Sequence, residues 1–274
     1  MNDDDPLNPQ AKQMADESMV RNLDAQAKAI WPQEVELIRG YGLLDGIRIL
    51  DAGCGTGEAA YRLAEEFPRS RLLGIDIVDS HLDLARQRCA RFGDRTLFEN
   101  RSIFELDLPD DSFDLTVCRH VMQAIPHAER VAAELARVTR PGGRLHLIAE
   151  DYGMIHFQRA AIDPRRFFYA APAQYGDKMG IDLFLGRDIY GILADLGLAE
   201  IRIDYVVVDT LRVPRETFAA ILEAWRDGYA EPIGEHTDLT REEAEAYFEQ
   251  MIANVRDPRG YAVWMVPVAS ARVG

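Results

Sequence analysis

The fold of this chain is decided by Ile49-Leu50-Asp51-Ala52-Gly53-Cys54-Gly55-Thr56-Gly57. An apolar run ends in an acid, passes through alternating glycines and leads into a helical pattern of apolar residues. This pattern predicts a buried strand, a tight turn and a helix start. Glycine allows positive φ and close approach of a ligand, and the free N–H groups of the helix start are electropositive. We therefore expect Gly53, Cys54, Gly55 and Gly57 to line a ligand site.

Two nucleotide-binding patterns can be tested against this turn. The dinucleotide fingerprint G-x-G-x-x-G/A needs a small third residue so that the helix packs closely on the strand, but Glu58 occupies that position. A phosphate-binding loop would continue with Gly-Lys-Ser/Thr, which does not follow here. Asp51 at the strand end would repel a pyrophosphate and attract a cation. A ligand with an ammonium group and no phosphate therefore fits better.

A second acid lies about twenty residues further on, a distance at which a carboxylate can bind both hydroxyls of a ribose. It is Asp76, which ends the short apolar run Leu72-Leu73-Gly74-Ile75. Together with Asp51 it predicts a ligand that joins an amino acid to a nucleoside without phosphates. S-adenosylmethionine is such a molecule, and we expect it as the cofactor.

Four motifs in the chain resemble, in order and spacing, those of class I S-adenosylmethionine-dependent methyltransferases. They are Asp51-Ala-Gly-Cys-Gly-Thr-Gly57, Gly74-Ile-Asp76, Asp111-Ser-Phe-Asp114 and Arg137-Val-Thr-Arg-Pro-Gly-Gly143. The resemblance implies that Ile77 contacts the cofactor beside the ribose-binding acid. It also implies that Ser102 and Ile103 stand near the adenine, with Ser102 in place of the usual acid. Backbone atoms at Arg119 are expected at the methionine end.

Strand and helix patterns alternate along the chain. This alternation predicts an α/β fold: a Rossmann-like, doubly wound, mainly parallel seven-stranded sheet with helices on both faces. A helical cap is expected from the N-terminus and from late insertions. Ligands of such sheets bind beyond the carboxyl ends of the strands. The predicted strand ends carry Asp51, Asp76, Ser102, Arg119 and Glu150.

The first forty residues precede the sheet. Residues 1–10 are acidic and polar, and we expect a disordered tail there. Residues 11–40 are expected to form an N-terminal helical cap in two pieces, separated near Pro32. The apolar stripe of this cap either packs on the main domain or forms a flap that brings Gln33 to the ligand.

Residues 41–274 are assigned to the cofactor-binding methyltransferase domain. The aromatic segment 153–185 has no regular pattern, and we expect a lid over the crevice rather than an ordinary connection. Two helical stretches at about 212–257 are expected to be an insertion that contributes to the cap.

Methyl transfer from a sulfonium mainly requires alignment of the reacting atoms and exclusion of water. A base is needed only where the acceptor carries a proton. His120 and His156 on crevice-side loops, and Glu150 and Tyr152 after a central strand, are the candidate catalytic residues. Each also has a structural interpretation, as a hydrogen-bonded histidine, a turn cap or a packed tyrosine. No His-x-x-x-His or Glu-x-x-His pair occurs, so no metal site is expected.

Composition and charge restrict the partners. A net charge of −15 over 274 residues disfavours binding to nucleic acid and to anionic lipid. No apolar run reaches membrane-spanning length, no basic and apolar leader opens the chain, and three scattered cysteines suggest a reducing compartment. We expect a cytoplasmic monomer or homodimer.

The sequence as a whole predicts an enzyme that transfers a methyl group from S-adenosylmethionine to a small-molecule acceptor. The acceptor atom, oxygen, nitrogen or carbon, stays open. Two alternatives also remain at this point: an NAD(P)-dependent oxidoreductase on a related fold, and a non-catalytic protein that binds S-adenosylmethionine.

Overall fold

The computed structural model describes residues 6–274. The strands are β1 Arg48–Ala52, β2 Arg71–Asp76, β3 Thr96–Asn100, β4 Phe113–Arg119, β5 Thr139–Ile148, β6 Ile155–Phe157, β7 Ala199–Asp209 and β8 Ala262–Arg272. The α-helices are α1 Ala11–Met14, α2 Glu17–Arg39, α3 Glu58–Glu66, α4 Asp79–Cys89, α5 Ala128–Val138, α6 Pro164–Met179, α7 Ile189–Asp195, α8 Arg215–His236 and α9 Arg241–Arg256.

One mixed sheet organises the described part of the chain. Strands β3, β2, β1, β4 and β5 lie side by side in that order and are parallel. Strand β8 is antiparallel to its neighbours: it pairs with β7 along one edge, and with β5 and β6 along the other. The predicted Rossmann-like α/β class is confirmed. The predicted number of seven strands is wrong, because β6 adds an eighth.

The segment 153–185 is more regular than predicted. It contains β6 and the helix α6, which begins where the side chain of Asp163 accepts a hydrogen bond from the N–H of Arg165 and Pro164 fills the first turn. Proline suits that position because the first N–H groups of a helix have no partner within the helix. The expectation of an irregular segment is therefore wrong.

The N-terminal region also differs from the prediction. Helix α2 is continuous through Pro32, and Asp16 caps it by accepting a hydrogen bond from the N–H of Ser18 at 2.8 Å. The predicted break near Pro32 is wrong, because packing of α2 against α8 and β7 compensates for the lost hydrogen bond. Residues 6–10 are described, with Gln10 buried, so they do not belong to a disordered tail; residues 1–5 lie outside the described residues.

Helices α8 and α9 follow β7 and occupy the predicted insertion. Together with α2, α6 and the inner residues of β7 and β8 they enclose a large apolar cluster that includes Phe218, Trp225 and Trp264. Two further clusters pack the helices that flank the parallel strands. The cap therefore lies over the carboxyl ends of the strands, where the candidate site residues are found.

Candidate active site

Backbone hydrogen bonds to β2 fix the conformation of the glycine turn after β1. The N–H groups of Gly53 and Cys54 both donate to the carbonyl oxygen of Ile75 in β2, at 2.9 Å each. Gly53 has φ +73°, and a Cβ there would overlap the side chain of Val121. Only glycine therefore fits this position, which leaves bare main chain facing the crevice.

Two adjoining cavities border this turn. The Asp76 cavity, of about 100 Å³, is lined by Asp76, Ile77, Val78, His81, Arg101 and Ile103, and by Asn8, Gln10, Ala11 and Met14 from the N-terminal segment. The Asp51 cavity, of about 30 Å³, is lined by Asp51, Cys54, Thr56, Glu58, Ala59 and Gln26. Both are also lined by Leu23, Gly53, Gly55, Arg119 and His120. The two cavities thus adjoin at five shared residues, and each is lined by one of the two acids.

The two acids differ in their surroundings. Asp76 is half-buried, and its carboxylate accepts hydrogen bonds from the N–H groups of Gly55 at 2.8 Å and Val78 at 2.9 Å. Asp51 is buried, and within the described part of the chain its Oδ2 has no hydrogen-bond partner. Burial raises the pKa of Asp51 to about 7. The charge of Arg119 lowers this pKa, and the charges of Glu34 and Asp76 raise it. A cation bound here would favour the ionised form.

Arg119 at the end of β4 is fixed by Glu34 of α2. Its Nε and Nη2 donate to the two carboxylate oxygens at 2.6 and 2.8 Å. His146 of β5 lies 3.0 Å from the same carboxylate and 2.7 Å from the hydroxyl of Tyr41. Burial would raise the pKa of Glu34, but Arg119 and His146 outweigh it and lower that pKa to about 2. The buried ion pair between Glu34 and Arg119 therefore connects helix α2 to the end of β4, which borders the site.

Glu150 lies at the centre of a second buried network. One oxygen, Oε1, lies 2.8 Å from Nδ1 of His120 and 3.5 Å from the amide nitrogen of Gln26. The other, Oε2, accepts from Gln123 at 2.8 Å and from the hydroxyl of Tyr152 at 2.9 Å. Burial and the neighbouring Glu150 raise the pKa of Tyr152 well above its usual value. The tyrosine therefore stays protonated and donates to the carboxylate.

A third cavity lies beyond Tyr152, under α6, α8 and α9. This aromatic cavity has a volume of about 60 Å³ and is lined by Gln10, Tyr152, Phe167, Phe168, Ala171, Pro172, Tyr175, Leu183, Trp225, Tyr229, Ile233 and Phe248. The ring of Trp225 packs edge-on against Tyr152, with 5.5 Å between centroids. Gln10 lines this cavity and the Asp76 cavity. The two cavities therefore lie on either side of the N-terminal segment's Gln10.

Most of the residues proposed from the sequence meet in this crevice; two lie elsewhere, and the role of a third stays open. Gln33 hydrogen-bonds the backbone of Val207 in β7, so it fastens α2 to the sheet and is not a cofactor ligand. His156 is exposed on β6, opposite Val263, so it is not a crevice base. Ser102 accepts a hydrogen bond from the N–H of Phe104, and its contact with adenine stays a prediction.

Several lining residues have no signal in the sequence. His81 reads as a residue on the surface of a helix, yet it is buried in the Asp76 cavity with Nε2 unpartnered among residues 6–274, and burial lowers its pKa. Gln26 and Gln10 come from segments predicted to be cap and tail. In the sequence, the only sign of a role for these two glutamines is that they are polar residues next to apolar ones. This sign does not distinguish a cavity-lining residue from a surface residue until the packing partners are known.

The family follows from the sheet, the glycine turn and one comparison. Residues 43–162 match the family model described as a methyltransferase domain. This part of the chain is a methyltransferase domain. The demethylmenaquinone methyltransferase of Deinococcus radiodurans is 38% identical to it over 101 residues, which cover 37% of this chain and 42% of the relative. The chain thus spans less than half the length of that relative.

Two further similarities extend beyond the methyltransferase domain. An S-adenosyl-L-methionine-dependent Diels-Alderase from Talaromyces variabilis is 26% identical over 253 residues, which cover 89% of this chain and 81% of that protein. A geranyl diphosphate C-methyltransferase from Streptomyces coelicolor, solved with Mg²⁺, geranyl diphosphate and S-adenosyl-L-homocysteine, superposes with a TM-score of 0.55 at 17% identity, over 89% of this chain and 79% of that chain. The second similarity shows a shared fold.

Neither a membrane-spanning helix nor a metal-binding cluster is found among the described residues. None of the helices within residues 6–274 has both the length and the apolar composition needed to cross a bilayer. In the same range, no three His, Cys, Asp or Glu side chains come together in a way that could hold a metal ion.

Proposed function

We propose that this chain transfers a methyl group from S-adenosylmethionine to a small-molecule acceptor, by in-line displacement in the capped crevice at the carboxyl ends of the strands. The observation that carries this proposal is the unpartnered Oδ2 of buried Asp51 beside bare main chain. A buried carboxylate oxygen without a donor is costly, and a cationic ligand would supply the missing partner. The Talaromyces relative, which is named as dependent on S-adenosyl-L-methionine, and the superposed structure solved with S-adenosyl-L-homocysteine support this choice of cation.

The residues present fit this cofactor. Asp76 has acceptor capacity left for ribose hydroxyls, and Ile77 and Ile103 supply apolar walls for adenine in the same cavity. At the other end Asp51 would bind the ammonium group, and Arg119 faces both cavities. When bound, the cofactor supplies an activated methyl group on a positively charged sulfur.

The acceptor would lie between Glu150 and the aromatic cavity. Tyr152 lines the aromatic cavity together with mostly aromatic and aliphatic side chains. It donates a hydrogen bond to Glu150, which lies 2.8 Å from His120. An apolar cavity favours exclusion of water from the reacting centre, which is one of the main requirements for methyl transfer. The proposed acceptor is therefore a compact molecule with a substantial apolar part.

Calorimetry with S-adenosylmethionine, S-adenosylhomocysteine and NAD tests the cofactor. We expect both adenosyl amino acids to bind and NAD to give no heat, because its pyrophosphate would meet Asp51 and the buried Glu58. Tight binding of NAD would overturn the proposal in favour of an oxidoreductase. Formation of S-adenosylhomocysteine during incubation with phenols, amines and indoles then tests the transfer itself.

A second candidate is a cycloaddition in which the cofactor is bound but not consumed. The observation that favours it is the Talaromyces Diels-Alderase, which aligns with nearly the whole chain, cap included. An aromatic cavity would also fold a polyene. The two functions differ in one product: only methyl transfer releases S-adenosylhomocysteine in proportion to the substrate consumed.

We also infer that the chain works in the cytoplasm as a monomer or homodimer, without a nucleic-acid partner. Its cysteines are buried and unpaired, which suits a reducing compartment, and the net charge of −15 opposes association with nucleic acid. Light scattering after size exclusion measures the oligomeric state. A species larger than a dimer would contradict this inference.

A further inference from the structure

His120 has an unusual backbone for its residue type. Its φ is +58°, in the left-handed region that residues other than glycine rarely adopt, and its N–H donates to the carbonyl oxygen of Ile148 at 2.8 Å. Such strain is kept where surrounding structure enforces it, and it concentrates at functional sites. Here it places the imidazole in the wall shared by the Asp76 and Asp51 cavities.

The two ring nitrogens of His120 have different surroundings. Nδ1 lies 2.8 Å from Oε1 of Glu150. Nε2 is buried and, among the residues that the structure describes, has no hydrogen-bond partner. An imidazole nitrogen without a partner in a buried site is costly, so a ligand that supplies a proton to it would be favoured.

The network around Glu150 fixes which nitrogen carries the proton. Gln26 and Gln123 approach the carboxylate with their amide nitrogens, and Tyr152 with its hydroxyl. All three are donors to an ionised carboxylate, which can only accept. Nδ1 of His120 must then donate as well. Nε2, which is buried and unpartnered in the described part of the chain, therefore carries the lone pair.

We propose that His120 is the base that removes the proton of the methyl acceptor, with Glu150 as the residue that orients it, and that the acceptor is an uncharged aromatic or polyunsaturated molecule bearing a hydroxyl group. This proposal rests on the proposed function and names the substrate class of the same site. It requires the acceptor hydroxyl to reach Nε2 while its apolar body occupies the aromatic cavity.

The proton and the electron pairs balance in this arrangement. The acceptor oxygen forms the new bond to the methyl carbon while the bond between that carbon and sulfur breaks, and its electron pair stays on sulfur. The hydroxyl proton passes to Nε2, which makes the imidazole cationic. Glu150, 2.8 Å from Nδ1, compensates the new charge, and the proton leaves to solvent after the product.

The lining of the aromatic cavity decides the class of acceptor. Across residues 6–274, none of the side chains that line it is charged, so a phosphorylated acceptor would lose its hydration without gaining a cation. A cationic amine fits no better, because Glu150 already receives four donors. The rings of Tyr152, Trp225 and Trp264 run as a chain of contacts from this cavity to His120. A flat, neutral body can therefore pack against Tyr152 and Trp225, which line the cavity, while buried Trp264 connects these rings to His120.

The first test reads the tautomer by ¹⁵N NMR of histidine-labelled protein in complex with S-adenosylhomocysteine. The His120 signals are assigned from His120→Asn, since asparagine tolerates positive φ better than most residues. We expect a protonated Nδ1 and an unprotonated Nε2 near neutral pH, and loss of this preference in Glu150→Gln. A proton on Nε2, or an unchanged preference in Glu150→Gln, would overturn the proposal.

The second test uses 4-nitrophenol as a neutral hydroxyl probe, since its anion absorbs at a different wavelength. In complex with S-adenosylhomocysteine, the wild-type protein should lower the apparent pKa of bound nitrophenol by about one unit relative to His120→Asn. Asp51, Asp76, Arg119 and Glu150 face the same space and are present in both proteins, so the difference reports the imidazole. His156→Asn is the matched control and should behave as wild type.

The outcomes distinguish failure of the proposed cofactor binding from failure of the proposed role of His120. If calorimetry gives no binding of S-adenosylhomocysteine, the proposed function fails. If the homocysteine derivative binds but nitrophenol does not, the acceptor class is wrong. If nitrophenol binds with the same apparent pKa in wild type and His120→Asn, His120 is not the base.

Discussion

Glu34 and Arg119 form a buried ion pair between the N-terminal helix α2 and the end of β4, with both carboxylate oxygens bonded at 2.6 and 2.8 Å. Glu34 has no exposed surface, and the side chain of Arg119 is 9% exposed. Removing one partner of such a pair leaves an uncompensated charge in the interior. The pair therefore makes the cofactor crevice dependent on a helix that precedes the matched methyltransferase domain.

Glu34→Gln should lower the free energy of unfolding by about 3 kcal/mol, because Arg119 stays buried without a counter-ion. Urea denaturation at pH 7 measures this. Glu36→Gln is the matched control in the same helix: Glu36 pairs with Arg39 at an exposed position, and its loss should cost less than about 0.5 kcal/mol. Equal losses of free energy of unfolding in the two variants would show that the buried ion pair stabilises the protein no more than the exposed one.

The same pair predicts a pH dependence of stability. The pKa of Glu34 is lowered to about 2 in the folded protein, below the value near 4.3 of an unfolded glutamate. Its contribution is thus complete above about pH 4.3 and is lost as the pH falls towards 2. The difference in the free energy of unfolding between wild type and Glu34→Gln should therefore shrink as the pH falls from 5 to 3. A constant difference across this range would contradict the assignment.

Binding of S-adenosylhomocysteine should be linked to the titration of Asp51. Its pKa of about 7 falls when an ammonium group binds, so the ligand prefers the ionised form and affinity rises with pH. We expect about tenfold tighter binding at pH 8 than at pH 6, with proton release near pH 7. Calorimetry in buffers of different ionisation enthalpy measures both. In Asp51→Asn the affinity should be weak and nearly independent of pH over this range.

Asp76→Ala should weaken binding of S-adenosylmethionine by about 1–3 kcal/mol through the loss of charged hydrogen bonds to the ribose. Asp79→Ala, three residues further on and exposed beside Asn100, is the control and should leave affinity unchanged. Calorimetry at fixed pH compares them. Unchanged affinity in Asp76→Ala would remove Asp76 from the cofactor site.

Gly53→Ala should both destabilise the protein and impair cofactor binding. The new methyl group would overlap Val121, and φ +73° is strained for alanine, so we expect a loss of about 1–3 kcal/mol. Gly191→Ala in the middle of α7 is the matched control. It meets nothing within 4 Å and should stabilise by about 0.5–1 kcal/mol. Thermal unfolding with and without S-adenosylhomocysteine tests both.

The parallel half of the fold could be predicted because its signals are local. Asp51 and Asp76 each end an apolar run, and the glycines between them require a turn whatever the rest of the chain does. Parallel strands bring their carboxyl ends to one edge. The lining of the crevice by Asp51, Asp76, Arg119 and His120 therefore follows from the chain order.

The cap could not be predicted to the same depth, because its contacts depend on how helices rotate against the sheet. Gln33 and Glu34 are neighbours on α2, and each residue of a helix turns by about 100°. One side chain therefore reaches Val207 and the other Arg119. No local pattern distinguishes them. Likewise, the pairing of β6 with β8 turned His156 to the surface, which only the tertiary structure reveals.

The position of β8 in the sheet has a consequence during synthesis on the ribosome. Strands β5, β6 and β7 all pair with β8, which follows them in the chain, so none of those ladders can form until β8 has emerged. Until then the nascent sheet ends at β5 with an open edge, and open edges invite pairing with other chains. Slow translation before Ala262 would prolong that exposure, whereas chaperones that shield β5 would raise the yield of folded protein.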